Sequence, residues 1–318
     1  MSSDYSKPYL GLALRPDYFS VASVKNNAVD AAAFQELGQS FDLHSLREGN
    51  FPIHYFVEVL TNLVERAGSG IRPVGISLDG SMALVKKVSV ALGLEEELLN
   101  DQMAWEAEQV LVSPLDQFSA AFQRLPFSTV SGNPLYVQVL VRKKVIETVQ
   151  ALVRESGLRL ADVDVDVFST IRAIVANHAV DPRHVAVCID AHRDHMGMTF
   201  IRKNEYFLSH RIPVPKQMED VSDRAKLLFK ELRRLIFGHG LGKGIEDVHR
   251  FFLVNHVSHE TWNQELSKAL SIPVEPVRPF QKIAVSSRLS NSMEYSEFPE
   301  RFVASVGVAL KKFPALAQ

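Results

Sequence analysis

The sequence predicts an α/β protein made of two similar halves, with mixed sheets and a smaller unit inserted into the first half. A strand-turn-strand-turn-strand pattern occurs twice, and helical segments separate the strands that follow each copy. Asp17 and Asn27 mark the turns of the first copy, and Asp194 and Asn204 take the same places in the second. A repeated unit of this kind predicts a duplicated fold with a cleft between its halves, where a ligand could bind.

Length and composition fit an ordinary globular protein. The 318 residues suffice for two hydrophobic cores, and the net charge of -2 argues against a nucleic-acid binder that relies on excess cations. No apolar run approaches the roughly 20 residues of a membrane-spanning helix, and the first residues lack a signal peptide's apolar core. The single cysteine, Cys188, excludes an internal disulfide. We therefore expect a cytoplasmic protein without direct membrane insertion.

The first half begins with the predicted meander, followed by a helix over 51–66 and a buried strand over 74–78. The chain then departs from the repeated plan. The next segments alternate between strand and helix periodicity, at 83–91 (strand), 94–112 (acidic amphipathic helix), 118–125 and 135–142 (strands) and 143–156 (helix). Gly157 is a suitable stop for the last helix. This β-α-β-β-α order predicts a small inserted subdomain.

The second half repeats the meander and continues with a long helix. Its predicted elements after the meander are a helix over 218–237, a strand over 250–254 and a helix over 259–270. A strand over 162–167 and a helix over 168–178 return to the first half beforehand, and a C-terminal helix over 299–313 is expected to pack on it. The predicted domains are a first lobe (1–82, 159–181 and 299–318), an inserted subdomain (83–158) and a second lobe (182–298).

Several short motifs, in matching order, resemble the PilM family of type IV pilus assembly proteins. The chain resembles this family at DQMAWEAEQ (101–109), SPLD (113–116), FQ (122–123), VRKKV (141–145), GL (157–158), DVD (164–166), IPVE (272–275) and PF (279–280). The resemblance spans nearly the whole chain. It implies an actin-like, RNase H-like fold, in which two duplicated lobes clamp a nucleotide.

The motifs that hold the nucleotide in that architecture are degraded in this chain. Where the family's first phosphate loop has an aspartate and a glycine, this sequence has Ala13 and Arg15, and Pro16 follows without an N–H. The second phosphate loop keeps Asp190 but has His192 in place of glycine. The glycines of the adenosine motif are replaced as well. The resemblance therefore implies a degenerate, inactive nucleotide cleft at Gly11, Ala13, Arg15, Lys25, Asp190, His192, Asn255 and His256.

Three further patterns favour ordinary structural roles. Cys188, His192 and His195 are zinc-type ligands, but their spacing matches no known finger, and we expect no metal site. The glycine-rich loop at 238–244 lacks the preceding strand and the hydroxyl of a phosphate-binding loop. A cationic run on the long helix is interpreted as a solvated face, with docking of an acidic partner as the alternative; it contains Arg224, Lys226, Lys230, Arg233 and Arg234.

Trp105 lies among acidic residues on the predicted helix of the inserted subdomain. It is interpreted either as a cap on a small core or as an aromatic anchor in a partner interface. The resemblance implies that a short cytoplasmic tail of a single-span inner-membrane protein docks in a groove beside this subdomain. The candidate partner-binding residues are Met103, Trp105, Phe118 and Phe122.

These observations favour a non-catalytic cytoplasmic scaffold of a membrane-associated assembly machine, either a type IV pilus or a related secretion system. We expect no cofactor, with ATP and magnesium as the disfavoured alternative, and a homo-oligomer is left open. The rival hypothesis is an actin-like ATPase or kinase that grips phosphate through Arg15, Lys25 and Asp190. A third is a GspL-type secretion module, which shares the fold but is normally fused to a membrane span.

Overall fold

The computed structural model describes residues 9–25, 28–47, 51–68, 73–192, 194–255, 259–290 and 296–312. Within these ranges the strands form three sheets, two of five strands and one of three. In the same ranges, no helix is both long and apolar enough to cross a membrane.

The first sheet combines a meander with two parallel strands. Its members are β1 (Tyr9–Leu14), β2 (Tyr18–Lys25), β3 (Ala28–Glu36), β4 (Pro73–Leu78) and β8 (Arg159–Val165). The spatial order is β3-β2-β1-β4-β8, with β1 antiparallel to β2 and parallel to β4. All six residues of β1 are buried, as expected for a central strand covered on both faces.

The second sheet has the same connectivity as the first. It contains β9 (Val185–Ala191), β10 (His195–Arg202), β11 (Glu205–Pro213), β12 (Val248–Asn255) and β13 (Val274–Pro276), in the order β11-β10-β9-β12-β13. Lys203 and Asn204 both have positive φ, at 52° and 62°, which matches a tight two-residue hairpin turn. The predicted duplication is confirmed.

The third sheet belongs to the segment that departs from the repeated plan. Its strands are β5 (Ala83–Ser89), β6 (Phe118–Ser128) and β7 (Pro134–Arg142), in the order β5-β7-β6. Helix α2 (Glu96–Glu108) covers one face, where the buried Gln138 amide donates to the Met103 carbonyl oxygen at 2.7 Å. On the other face, Val137 and Val141 join the cores of the two halves. The β-α-β-β-α order is as predicted, although α2 is shorter than the predicted 94–112.

The other helices pack around these sheets. They are α1 (Ile53–Arg66), α3 (Lys143–Glu155), α4 (Asp166–Asn177), α5 (Val221–Gly238), α6 (His259–Leu270), α7 (Ser287–Ser290) and α8 (Val303–Leu310). Short 3-10 helices occupy Ser45–Arg47, Gly80–Met82, Leu115–Gln117, Ile245–Asp247 and Pro299–Phe302. The last of these replaces the first turn of the predicted C-terminal helix.

Helix α8 is the most deeply placed helix of the first half, with all eight residues buried. It lies against β1 and α4 and approaches both through glycine. A Cβ at Gly11 would overlap the carbonyl oxygen of Ser305, and a Cβ at Gly307 would overlap that of Ser169. Glycine at these two positions is therefore needed for close contact between backbones.

The segment before α8 belongs with the first half. The Val29 N–H donates to the Ala284 carbonyl oxygen at 2.9 Å, and Phe280, Ile283 and Leu289 share a core cluster with Tyr9. The predicted boundary at 298 assigns this segment to the second lobe, and these contacts correct that assignment. The apolar side chains of this segment share that cluster with Val29 of β3 and Val306 of α8. The remaining boundaries stay a prediction.

Candidate functional site

The cleft between the two five-stranded sheets contains a buried ion-pair cluster centred on Arg15. The Arg15 side chain, which follows β1, is 2% exposed. Its Nη1 lies 3.0 Å from Asp79 Oδ2 and also contacts Asp166 Oδ2, while Nη2 lies 3.4 Å from Asp190 Oδ2. One guanidinium thus faces three carboxylates.

The topology explains why these three carboxylates meet. Asp79 directly follows β4 and Asp166 directly follows β8, and both strands run parallel to β1. Carboxyl ends of parallel strands meet at one edge of a sheet, which is where ligands bind in open α/β folds. Asp190 lies near the carboxyl end of β9 in the second sheet. The cluster therefore bridges the two halves.

A second arginine extends this network from the other side of the cleft. Arg211 on β11 places Nη2 3.1 Å from Asp79 Oδ1 and 2.9 Å from His195 Nε2. The rings of His192 and His195 stack with centroids 4.2 Å apart. Because Arg211 donates to His195 Nε2, the Nδ1–H of that ring is left to donate to Asp194 Oδ1, at 2.8 Å. His195 is thus held as a neutral tautomer.

The pKa shifts follow from this arrangement. Burial would raise the pKa of Asp79, but Arg15 and Arg211 outweigh it and hold that pKa well below its ordinary value. Burial raises the pKa of Asp166 to about 6 against the attraction of Arg15, with repulsion from Asp79 adding to the rise. Burial would lower the pKa of His192, but Asp190, whose Oδ1 lies 3.1 Å from its Nε2, raises it. The cluster thus combines an ionised carboxylate with one that protonates near neutral pH.

The structure brings together only part of the predicted nucleotide cleft. Arg15, Asp190 and His192 meet in the cluster, and Ala13 is buried in β1 just before it. Gly11 is covered by α8, against which its α-carbon packs, and this corrects its assignment to a phosphate loop.

Lys25 is not part of the cleft. Leu14 pairs with Phe19 and Tyr9 with Val24, so the exposed Lys25 lies at the opposite end of the sheet from Arg15. The predicted grip through Arg15, Lys25 and Asp190 is therefore wrong in its geometry. The backbone of Asn255 ends β12 opposite Ala191, and His256 lies outside the described residues.

Sequence reasoning missed four residues of the cluster: Asp79, Asp166, Arg211 and His195, the last of which was considered only as a zinc ligand. An available signal was an aspartate directly after each of the two parallel strands. In the described part of the chain, no group of three or more His, Cys, Asp or Glu side chains is arranged to hold a metal ion. Since the guanidinium already supplies the positive charge, the cluster is suited to tie the sheets together.

A groove of about 740 Å³ lies beside the inserted subdomain. One wall is the face of the third sheet that carries Ala121, Val137 and Val139, and the other is formed by β8 and α4. Further lining residues are Ser119, Gln123, Val141, Ile146, Val163, Phe168, Ile171, Val175, Asn204 and Tyr206. The lining is mainly apolar, and Arg172 contacts Asp164 by an ion pair within it.

Two strand edges border this groove. In the described residues, β6 is paired only with β7 and β8 only with β4. Ser119, Ala120 and Ala121 of β6 are small and exposed, so the main chain there is accessible. Exposed strand edges accept extended peptides through main-chain hydrogen bonds. The groove can therefore hold an extended, mainly apolar segment.

The candidate partner-binding residues lie mostly elsewhere. Met103 is 2% exposed and packs with Val88 and Val90 in the small core beneath α2, which corrects its assignment to a partner surface. Trp105 is 56% exposed, but α2 covers the face of the third sheet opposite the groove. Phe118 is half-buried beneath the Arg142 guanidinium. Phe122 alone of the four reaches the rim of the groove.

The family model described as Type IV pilus assembly protein PilM matches residues 45–209. The chain belongs to the PilM family. This match covers the groove walls β6, β7, β8 and α4 together with Asp79, Asp166 and Asp190 of the cluster. The predicted resemblance is confirmed.

Comparison with solved structures shows where this PilM-family fold recurs. The structure described as the PilM-PilN type IV pilus biogenesis complex shares 19% identity over 96% of this chain and 98% of that chain, with a TM-score of 0.77. The cytoplasmic domain of EpsL, an inner-membrane component of the type II secretion system of Vibrio cholerae, shares 9% over 97% and 95%, with a TM-score of 0.52. The ethanolamine utilization protein EutJ from Carboxydothermus hydrogenoformans shares 12% over 95% and 89%, also at 0.52. The predicted actin-like architecture is confirmed.

Proposed function

We propose that this PilM-family protein is a non-catalytic scaffold of a type IV pilus or related secretion machine. In this proposal it binds the cytoplasmic tail of an inner-membrane partner, and is thereby held at the membrane surface. The PilM-PilN complex supports a partner of this kind, since there a chain of the same fold is found in complex with a second protein. The EpsL neighbour supports the link to envelope machines.

The groove between β6 and β8 is the observation that carries the proposal. An extended peptide added to β6 would satisfy main-chain groups on one side and bury apolar side chains against Val139, Val163 and Phe168. The Arg172–Asp164 pair and the exposed Glu205 add polar groups that fix the register of a peptide. No chemical step is needed for this function.

The ion-pair cluster supports the absence of catalysis. The buried Arg15 guanidinium occupies the edge of the first sheet, where a phosphate would be expected to lie in this architecture. An ATPase or kinase places phosphate by close main-chain contacts and a metal ion. The position of Lys25 at the far end of β2 removes the rival's second cation.

Peptide binding tests the groove. The measurement is the fluorescence anisotropy of labelled peptides that carry the N-terminal tail sequences of candidate single-span inner-membrane partners, a PilN homologue among them. Ala121→Trp places a large ring in the groove without burying it in a core, since Ala121 is exposed, and we expect at least a tenfold weaker affinity.

Ala91→Trp is the matched control, because Ala91 is also an exposed alanine of the inserted subdomain and does not line the groove. The control variant is expected to bind as the wild-type chain does. If both substitutions weaken peptide binding equally, or if neither weakens it, the peptide does not bind in this groove. Calorimetric titration with magnesium-ATP tests the proposed absence of catalysis, and we expect no binding. Micromolar binding would overturn that part of the proposal without bearing on the peptide-binding role of the groove.

A further inference from the structure

Helix α5 carries a cationic stripe that ends in an exposed aromatic ring. Lys226, Lys230, Arg233 and Phe237 are exposed and follow one another at intervals of four, three and four residues, so they share one helical face. The Phe237 ring is 80% exposed. Among the described residues, neither Lys230 nor Arg233 forms an ion pair with a carboxylate. Lys226 is paired with Asp223, but two cations without such a partner, Lys230 and Arg233, beside an exposed ring are typical of an interaction surface.

A surface cavity of about 400 Å³ lies within this stripe. Phe229, Lys230, Arg233, Arg234, Phe237 and Lys243 line it. Aromatic rings and aliphatic stems therefore form its walls, and cations surround its mouth. Such a cavity favours a group that is both aromatic and flanked by negative charge. A tryptophan ring bordered by carboxylates has both properties.

Helix α2 carries a row of exposed residues, the α2 stripe, that combines a tryptophan with carboxylates. Leu98, Asp101, Trp105 and Glu108 are exposed at intervals of three, four and three residues. Leu98 is 53% exposed and Trp105 is 56% exposed, although both are large and apolar. The helix contains no lysine or arginine. In spacing and charge it complements the stripe on α5.

The two stripes lie on opposite sides of the third sheet. Lys86 Nζ donates to the Glu106 carbonyl oxygen of α2 at 3.0 Å, whereas Lys87 Nζ lies 3.7 Å from the centre of the Phe207 ring on β11. Adjacent strand residues point to opposite faces. Because α5 packs on the β11 side, where His210 Nε2 lies 3.7 Å from Glu231 Oε2, the α2 stripe of one molecule faces away from its own α5.

We propose that the α2 stripe of one copy of this chain docks on the α5 stripe of a second copy, with Trp105 in the cavity beside Phe237. The contact joins two different surfaces, so it leaves one free stripe at each end and can add further copies head to tail. Two helix faces bury less area than the roughly 1,200 Å² of a stable complex. The association is therefore weak, concentration-dependent and sensitive to salt.

Sedimentation velocity of the full chain tests this proposal. We expect association at about 0.05 M salt that is lost at about 0.5 M, where the screening length falls to a few ångström. The charge reversals Lys230→Glu/Arg233→Glu and Asp101→Lys/Glu108→Lys are each expected to leave a monomer. Combining all four in one chain reverses both stripes, keeps the net charge and is expected to restore association.

Lys143→Glu/Arg154→Glu on the exposed face of α3 changes the net charge equally and serves as the control. We expect it to associate like the wild-type chain, and circular dichroism would confirm that every variant is folded. A wild-type chain that stays monomeric at low salt overturns the proposal, as does a fourfold variant that stays monomeric. If that monomer binds anionic phosphatidylglycerol vesicles and Lys230→Glu/Arg233→Glu does not, the α5 stripe is a membrane contact instead.

Discussion

Arg15 is a buried arginine in contact with three carboxylates. Its guanidinium contacts Asp79, Asp166 and Asp190, which come from both halves of the fold. A buried ion pair adds little net stability compared with an apolar substitute, because desolvation offsets the attraction. Removing one partner is different, since it leaves unpaired charge in a medium of low polarity.

Arg15→Met is therefore expected to lower the free energy of unfolding by about 3–5 kcal/mol. The free energy would be measured by denaturant unfolding at neutral pH. Adding Asp166→Asn to the same chain removes one of the stranded carboxylates and is expected to recover part of the loss. Arg183→Met removes an arginine whose partner, Asp181, lies at the surface, and we expect no change. A loss no larger than that of the control would contradict the central role of Arg15.

His178 gives a pH-dependent test at the end of α4. Its Nε2 accepts a hydrogen bond from the Arg278 N–H at 3.1 Å, and burial, with nearby Arg250 and Lys282, lowers its pKa to about 4. The unfolded chain, with a histidine pKa near 6.5, binds this proton more readily than the folded chain between the two values. Stability is therefore lost as pH falls below about 6.5, by at most roughly 1.4 kcal/mol per pH unit.

His178→Gln keeps an acceptor oxygen but does not titrate. We expect the free energy of unfolding of the wild-type chain to fall relative to this variant between pH 7 and pH 5. Chemical denaturation at several pH values measures the difference. Two parallel profiles would show that His178 is protonated as easily in the folded chain as in the unfolded one.

At the scale of elements, α8 shows what sequence patterns can and cannot reveal. Its apolar run from Val303 to Leu310 predicts a buried helix, and the structure confirms it. The contact between Gly307 and Ser169 joins segments far apart in sequence, so no local pattern indicates it. The assignment of Gly11 to a phosphate loop is wrong for the same reason: a glycine required by a neighbouring helix looks like one required by a phosphate.

Gly307→Ala is expected to destabilise the protein by about 1–3 kcal/mol, because the added methyl group forces α8 away from α4. Gly238→Ala is the control, since no atom lies within 4 Å of the position that its methyl group would take at the exposed end of α5. That substitution restricts the unfolded chain and is expected to be neutral or stabilising by up to about 1 kcal/mol. Thermal unfolding of both variants compares them, and similar losses would argue against close packing at Gly307.

Predictability also differs between the strands and the charged cluster. The alternation of side chains and the two turn sequences around Asn27 and Asn204 predict both meanders, and the inserted β-α-β-β-α unit follows from similar signals. Arg15 stands out in the sequence because it breaks a motif. Its partners Asp79 and Asp166 do not, since their closeness depends on the parallel pairing of β4 and β8. The contact between Arg211 and Asp79 depends on how one half packs against the other, and no local pattern in the sequence indicates that packing.

At the scale of the whole molecule, two polar links join the sheets across the cleft. Arg211 on the second sheet reaches Asp79 after the first, and Arg15 after the first sheet reaches Asp190 on the second. Apolar contacts add to these links, since Val303 of α8 belongs to the core cluster of the second half. The two halves are therefore expected to unfold together.

Arg211→Met/Asp190→Asn removes both links while leaving the Arg15–Asp79 and Arg15–Asp166 pairs in place. Trp105 and Trp262 are the only tryptophans of the sequence, so in a Trp105→Phe background the buried Trp262 of α6 reports on the second half alone. We expect its fluorescence transition in denaturant to separate from that of far-ultraviolet circular dichroism. In the background without the other two substitutions the transitions are expected to coincide. Coincidence in both would assign the coupling to apolar contacts.

A guanidinium that belongs to the polypeptide is present at one equivalent per molecule under all conditions. The occupancy of a diffusible ion or nucleotide in the same place would depend on its cellular concentration. The spacing of the two lobes would then change with that occupancy. Here the counter-charge of Asp79 and Asp190 is fixed at synthesis. We therefore expect that neither a chelator nor depletion of cellular ATP moves the walls of the groove.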